Sequence, residues 1–175
     1  MYYFVSDTHF GHANIIEYCK RPFKSVDEMD KFMIKKWNER VNEEDTIFHL
    51  GDFCLSKSSE APNAPKDAFL HYREKLHGNI IFLKGNHDGN NKQKSIVESI
   101  VIDFGGKRIY MTHNPKFAKE EFNLNFCGHV HEKWQFQKLE KKSTIVNLSV
   151  ENWNYQPVTI NEIFQALADW QRKHD

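Results

Sequence analysis

Short apolar runs, each closed by a glycine, a histidine or an acidic residue, recur along the chain and set its predicted elements. Tyr2–Val5 reads as a buried strand that delivers Asp7 and His9 at its carboxyl end. Residues 46–50 form a second such run, ending at Gly51-Asp52, and residues 80–83 a third, ending at Gly85-Asn86-His87-Asp88. Between the first two the period lengthens. Val26, Met29, Phe32, Met33 and Trp37 recur at helical spacing behind a capping-box pattern, Ser25 with Glu28 three residues on, which predicts an amphipathic helix to about Arg40. Residues 56–65, rich in Ser, Pro and Ala with charges, read as an exposed loop; Pro65 could open the helix that Phe69, Tyr72 and Leu76 suggest.

The second half has a different rhythm. Residues 97–103 and 107–112 flank Gly105-Gly106, a hairpin signal whose second arm ends at His113. Leu124–Cys127 leads into Gly128-His129-Val130-His131, and residues 134–137 and 144–150 alternate apolar with polar as half-buried strands do. Thr159 with Glu162 is a second capping box, opening a terminal helix whose buried face carries Ile163, Phe164, Leu167 and Trp170. Helix-bearing β-α units followed by hairpins predict an α/β domain with two sheets.

Composition narrows this picture. A chain of 175 residues that is 39% hydrophobic suits one globular domain spanning residues 1–175. Equal numbers of basic and acidic residues imply no bulk attraction to nucleic acid or to an anionic membrane. Cys19, Cys54 and Cys127 are odd in number and widely spaced, as reduced cytoplasmic thiols are. The opening residues lack a basic region and meet a charge by Asp7, unlike a signal peptide. No apolar run approaches the roughly 20 residues that span a bilayer. The expectation is a soluble cytoplasmic protein.

Candidate chemistry lies where the apolar runs end, the place α/β sheets reserve for ligand-binding groups. Carboxylate, amide and imidazole donors without a thiolate suit a divalent-metal catalytic site, here a metallo-hydrolase, better than structural zinc. The ordered set Asp7-Thr8-His9, Gly51-Asp52, Gly85-Asn86-His87-Asp88, His113 and Gly128-His129-Val130-His131 resembles the calcineurin-like metallophosphoesterases, and Ser6 to His12 resembles their small single-domain bacterial and phage members. The resemblance implies a four-layer α-β-β-α sandwich and two metal ions that hydrolyse phosphate esters. Asp7, His9 and His131 would serve the first metal, and Asn86, His113 and His129 the second. Cations about 3.5–4 Å apart need a shared anion, and Asp52 is the bridging carboxylate. His129 and His131, two apart, would share a face on extended backbone, as would Asp7 and His9. A bridging water or hydroxide would attack phosphorus. The donor set suits manganese, iron, zinc or nickel and does not select among them; manganese is the first expectation, with iron, zinc or nickel as alternatives.

By the same resemblance His87 acts on the phosphate or leaving oxygen as general acid or charge stabiliser, with Asp88 holding its ring. His12 and Asn14 could cap the first helix, or His12 could reach substrate. Arg21 could hold a phosphate oxygen or lie solvated on the surface. His49 reads as structural and Cys54 as a small packing residue. Asn114-Pro115 departs from the glycine-histidine pair of many relatives, so Asn114 could contact substrate. With little material for a cap, the site should be open and favour small phosphodiesters. Phosphomonoesterase and nuclease activities, or a non-catalytic scaffold, are the alternatives. Lys133, Lys138, Lys141 and Lys142 make a local basic group, read as a solvated turn, and nucleic acid is not expected as a partner.

Overall fold

In a computed structural model, residues 1–55, 67–88, 95–140 and 143–174 are described. The expected loop over residues 56–65, Pro65, Lys141 and Lys142 lie outside them. The elements run β1 (Tyr2–Val5), α1 (Asn14–Tyr18), α2 (Val26–Asn38), β2 (Thr46–His49), α3 (Ala68–Arg73), β3 (Asn79–Phe82), β4 (Ser99–Phe104), β5 (Lys107–Thr112), β6 (Leu124–Cys127), β7 (Phe136–Glu140), β8 (Ser143–Asn147), β9 (Val158–Thr159) and α4 (Ile160–His174). Two mixed sheets result, in strand orders β3-β2-β1-β9 and β4-β5-β6-β8-β7. The first is parallel except for β9, which pairs Thr159 with Tyr3 and Val158 with Phe4. The second has a parallel centre between antiparallel outer pairs. Within the described residues this is the two-sheet α/β architecture that the resemblance implies. No helix among them is long and apolar enough to cross a membrane.

Strand alternation divides the core. Tyr3, Val5 and Ile47 turn toward Met29, Met33 and Trp37 of α2 and Tyr72 of α3. Phe4 and Phe48 turn the other way, meeting Ile109, Met111, Leu124, Phe126 and Val146 of the second sheet together with Ile163 of α4. The second capping box forms, with Thr159 and Glu162 bonding reciprocally; at the first, Ser25 Oγ accepts from Glu28 N–H, but the Glu28 carboxylate accepts from Lys24 N–H rather than from Ser25. Gly105 and Gly106, at φ 58° and 76°, make the hairpin turn. Helix α1 begins differently from expectation. Its N-cap is Ala13, without a side-chain bond, so neither His12 nor Asn14 caps it. Helix α3 is capped by Asp67, whose carboxylate accepts from Leu70 N–H.

The carboxyl ends of the two sheets are stitched together. Ser6 N–H donates to Leu148 C=O and Val150 N–H to Ser6 C=O, while Leu148 N–H donates to Cys127 C=O and Gly128 N–H to His113 C=O. The loops after β1, β2, β5, β6 and β8 therefore meet over one edge of the sandwich.

Candidate metal centre

Five of the seven expected ligands sit in left-handed backbone: Asp7, His9, Asp52, His129 and His131 have φ between 49° and 71°. L-residues avoid this region, and a cluster of such outliers is characteristic of functional sites. It also corrects the reading of the two-residue spacings. His129 and His131 do not share a face of extended backbone; each leaves a tight turn, and His131 opens a 3-10 turn over His131–Lys133.

The side chains fall into two groups, Asp7–His9–His131 and Asp52–His113–His129, each with its donor atoms within 4.8 Å of one another. Asp7 Oδ1 is 3.9 Å from His9 Nε2 and 3.8 Å from His131 Nε2. Asn86 Oδ1 is 3.0 Å from His113 Nε2 and 2.8 Å from His129 Nδ1, placing the amide with the second group. Asp52 Oδ2 faces both groups, 3.7 Å from His9 Nε2 and 3.4 Å from His113 Nε2. Asp7 Oδ1 and His9 Nε2 are buried without a hydrogen-bond partner. Leaving such atoms unmet costs about 1–3 kcal/mol each, and a cation would meet both. The residues present therefore fit a metal.

Close backbone approach makes this crowding possible. A Cβ on Gly85 would collide with the Asp52 carboxylate, and one on Gly128 with Asp7 Oδ2 and Ser6 Oγ. Hydrogen bonds behind the ligands then set their orientation. His113 Nδ1 is 2.8 Å from Leu50 C=O, which makes Nδ1 the protonated nitrogen and turns the Nε2 lone pair to the centre. Asp7 Oδ2 accepts from His129 N–H and Ser149 Oγ, both at 2.9 Å. His49, fully buried, bridges two ligand loops. Thr8 Oγ1 donates to Phe53 C=O, so it accepts from His49 Nε2–H, while His49 Nδ1 accepts from Gly51 N–H. Burial holds the His49 ring neutral, with its pKa lowered to about 3.

Three expected roles change. Asp88 does not hold His87. Its buried carboxylate accepts from the backbone N–H groups of Asp52, Phe53 and Gly85 at 2.8, 3.1 and 2.7 Å, because two loops cross there with donors needing an acceptor. Arg21 is not solvated at the surface. Its buried guanidinium donates to Asp7 C=O, Thr8 C=O and Glu151 Oε1, clamping the β1 loop from behind. Asn114 lines a pocket beside His113, but its Oδ1 caps the following turn through Lys116 N–H. His87 is exposed, its ring 5.7 Å from that of His9, and its N–H donates to Asp52 Oδ1. His12 is half-buried, its Nδ1 3.2 Å from His9 Nδ1.

Glu151 was not singled out from the sequence. It lies just past β8 with its side chain 4% exposed, Oε1 3.0 Å from His131 Nδ1 and 2.7 Å from Arg21 Nη2. Although burial opposes it, the His131 hydrogen bond and the Arg21 charge hold its carboxyl below the usual range. Burial likewise opposes charge on His131, yet contacts with Cys19, Glu151 and Asp7 raise its pKa to about 11. The signal for Glu151 was the one that found the other ligands, a polar residue just after an apolar run, but it lacked a motif partner.

Comparison with known proteins places this geometry. An uncharacterized protein of Methanocaldococcus jannaschii is 37% identical over 172 residues, covering 94% of this chain and 90% of that protein. The crystal structure of a protein of unknown function from Aquifex aeolicus superposes with a TM-score of 0.69 at 26% identity, covering 95% of this chain and 98% of that one. A nuclease from Pseudomonas putida shares the fold at a TM-score of 0.51 and 18% identity, covering 83% and 72%. Because that protein is a nuclease, the expectation that nucleic acid is not a partner gains no support from the comparison. Residues 2–150 match the calcineurin-like phosphoesterase superfamily domain, a stretch that carries every ligand described above, and the chain belongs to that superfamily as a metal-dependent hydrolase of phosphoester bonds.

Proposed function

We propose that the chain hydrolyses small phosphodiesters at a dinuclear centre, with Asp7, His9 and His131 holding one divalent ion, Asn86, His113 and His129 the other, and Asp52 shared. The observation that carries this reading is the position of Asp52 Oδ2, 3.7 Å from His9 Nε2 and 3.4 Å from His113 Nε2, between two groups of buried donors. When bound, the ions would supply an acidified water as nucleophile and positive charge against the phosphate. The donor set suits manganese, iron, zinc or nickel without selecting among them, and manganese is the first metal to test.

The chain's own residues supply the rest. His87, exposed beside His9, is placed to hold or give a proton at the leaving oxygen. Its N–H bond to Asp52 ties that loop to the shared carboxylate. Asp88 keeps the two loops in register through three backbone donors. His12, in contact with His9, belongs to the substrate side of the first group. Residues 1–175 act as one domain in this reading, since both sheets contribute to one interior and one edge.

The test is a panel of bis(4-nitrophenyl) phosphate, cyclic nucleotides, dinucleoside polyphosphates and 4-nitrophenyl phosphate, assayed with each added divalent metal. Metal-dependent turnover with a diester preferred supports the reading. Turnover that survives complete metal removal, or none on any member, sinks it.

A further inference from the structure

Against Asn86 and His113 opens a pocket of about 480 Å³, bounded by the segment after β3, the start of β4, β5 and the segment after it. Lys84, Lys116 and Lys119 line it, opposed by one carboxylate, Glu98, whose Oε1 is 4.0 Å from Lys84 Nζ. A chain of zero net charge thus gathers positive charge beside its reacting centre. The wall is fixed from beneath. Asn125, fully buried on β6, donates through its amide to Lys119 C=O and Phe122 C=O and accepts from Lys119 N–H. Asn114 caps the Pro115–Phe117 turn. Phe117 is 57% exposed, with the Lys116 amine 4.9 Å from its ring, and the Lys119 amine lies 4.9 Å from the Tyr110 ring.

We propose that this pocket is a subsite for a second phosphate and its attached base in a nucleotidyl phosphoester whose scissile phosphate lies on the metal centre. It rests on the hydrolytic reading above and narrows its substrate class. Lysine ammoniums pair with phosphate as point charges, an exposed ring beside a cation accepts a stacked base, and the volume suits a nucleotide-sized group. Continuity with Asn86 and His113 puts the second phosphate next to the first.

Binding reads the proposal without turnover. Calorimetric titration of the manganese-loaded full chain with adenosine 3′,5′-bisphosphate and with AMP should show the bisphosphate bound roughly tenfold more tightly at low salt. Replacing Lys116 and Lys119 together by alanine should collapse that ratio toward one, and Phe117→Ala should weaken both ligands. Equal affinities, or a ratio indifferent to the lysines, overturns the subsite. A second arm compares dithymidylate with and without a terminal phosphate. A lysine-dependent gain there assigns the subsite to oligonucleotide ends. A gain confined to the free bisphosphate assigns it to mononucleotides. A chain that prefers the bisphosphate yet cleaves no ester keeps this inference and loses the hydrolytic one. A chain that cleaves bis(4-nitrophenyl) phosphate but shows no preference does the reverse.

Discussion

Glu151 Oε1 lies 3.0 Å from His131 Nδ1, while the opposite ring nitrogen, Nε2, points toward Asp7 Oδ1 at 3.8 Å. A carboxylate on one imidazole nitrogen fixes the tautomer and strengthens the other as a ligand. Arg21 keeps Glu151 ionised and at the same time clamps the carbonyls of Asp7 and Thr8. The buried pair thus orients two ligands of the first metal group at once.

Glu151→Ala should therefore weaken the first metal site by about 10- to 100-fold, the usual effect of losing such a partner. Glu151→Gln should weaken it less, because an acceptor for Nδ1–H is retained. Chelator competition during metal titration measures both. Unchanged affinity in the alanine variant would show that His131 needs no such support.

Asp52 makes a different prediction, since its carboxylate faces both groups. Asp52→Ala should lower metal content from two ions per chain to fewer than one after dialysis, whereas His131→Ala should lower it by about one. Elemental analysis decides. If Asp52→Ala retains wild-type content, the shared-bridge assignment fails.

The elements, and the donor residues that the fold gathers into two groups, were readable because both depend on local pattern. Alternation in residues 2–5 places Phe4 on one face and Tyr3 and Val5 on the other, and the end of each apolar run marks where a ligand emerges. What escaped depends on contacts between distant segments or on dihedrals. The left-handed backbone of Asp7, His9 and His131 leaves no mark in periodicity. Asp88 looked like a histidine's partner because it adjoins His87, yet its acceptors were claimed by backbone donors 35 and 36 residues away. Arg21 leaves a phosphate contact and a solvated surface position equally open in the sequence, and it is buried because the Asp7 and Thr8 carbonyls and Glu151, 130 residues on, meet it. The two-residue strand β9 exists through its pairing with β1 rather than through its own sequence.

His87 adjoins the centre without joining either ligand group, so its loss should affect chemistry rather than metal content. His87→Asn should lower turnover of alkyl diesters by roughly 10²–10⁴, the range for a general acid, with unchanged metal stoichiometry. The loss should shrink for 4-nitrophenyl esters, whose leaving group departs without a proton. A loss independent of leaving-group pKa, or a loss of metal, would falsify the role.

His49 links stability to pH. Its folded pKa of about 3 lies below the ordinary 6.5, so the unfolded chain takes up a proton the fold refuses. Its contribution is fully present above pH 6.5 and is lost as pH falls toward 3, by at most about 1.4 kcal/mol per pH unit. In the metal-free protein, His49→Gln should be less stable at pH 7, having disturbed the Thr8–Gly51 bridge, yet lose less on going to pH 5. Urea midpoints for the two proteins falling in parallel from pH 7 to pH 5 would refute this account.

The substrate preference follows from charge at the centre. A diester carries one negative charge on the reacting phosphate, which two divalent ions would neutralise readily. A monoester dianion repels an approaching anionic nucleophile more strongly than a diester monoanion does, which raises its barrier to attack. Small diesters should therefore show the higher kcat/KM under a common metal. Among them, those bearing a second phosphate should show the lower KM at low salt, through Lys84, Lys116 and Lys119, with the advantage shrinking as added salt screens the lysines. Long duplex DNA should be cut slowly, because equal numbers of basic and acidic residues give little bulk attraction to its phosphates. Steady-state kinetics across monoesters, diesters and duplex at two ionic strengths measures all three orderings. A monoester that outruns every diester under the same metal would reverse the assignment of substrate class while leaving the metal centre as described.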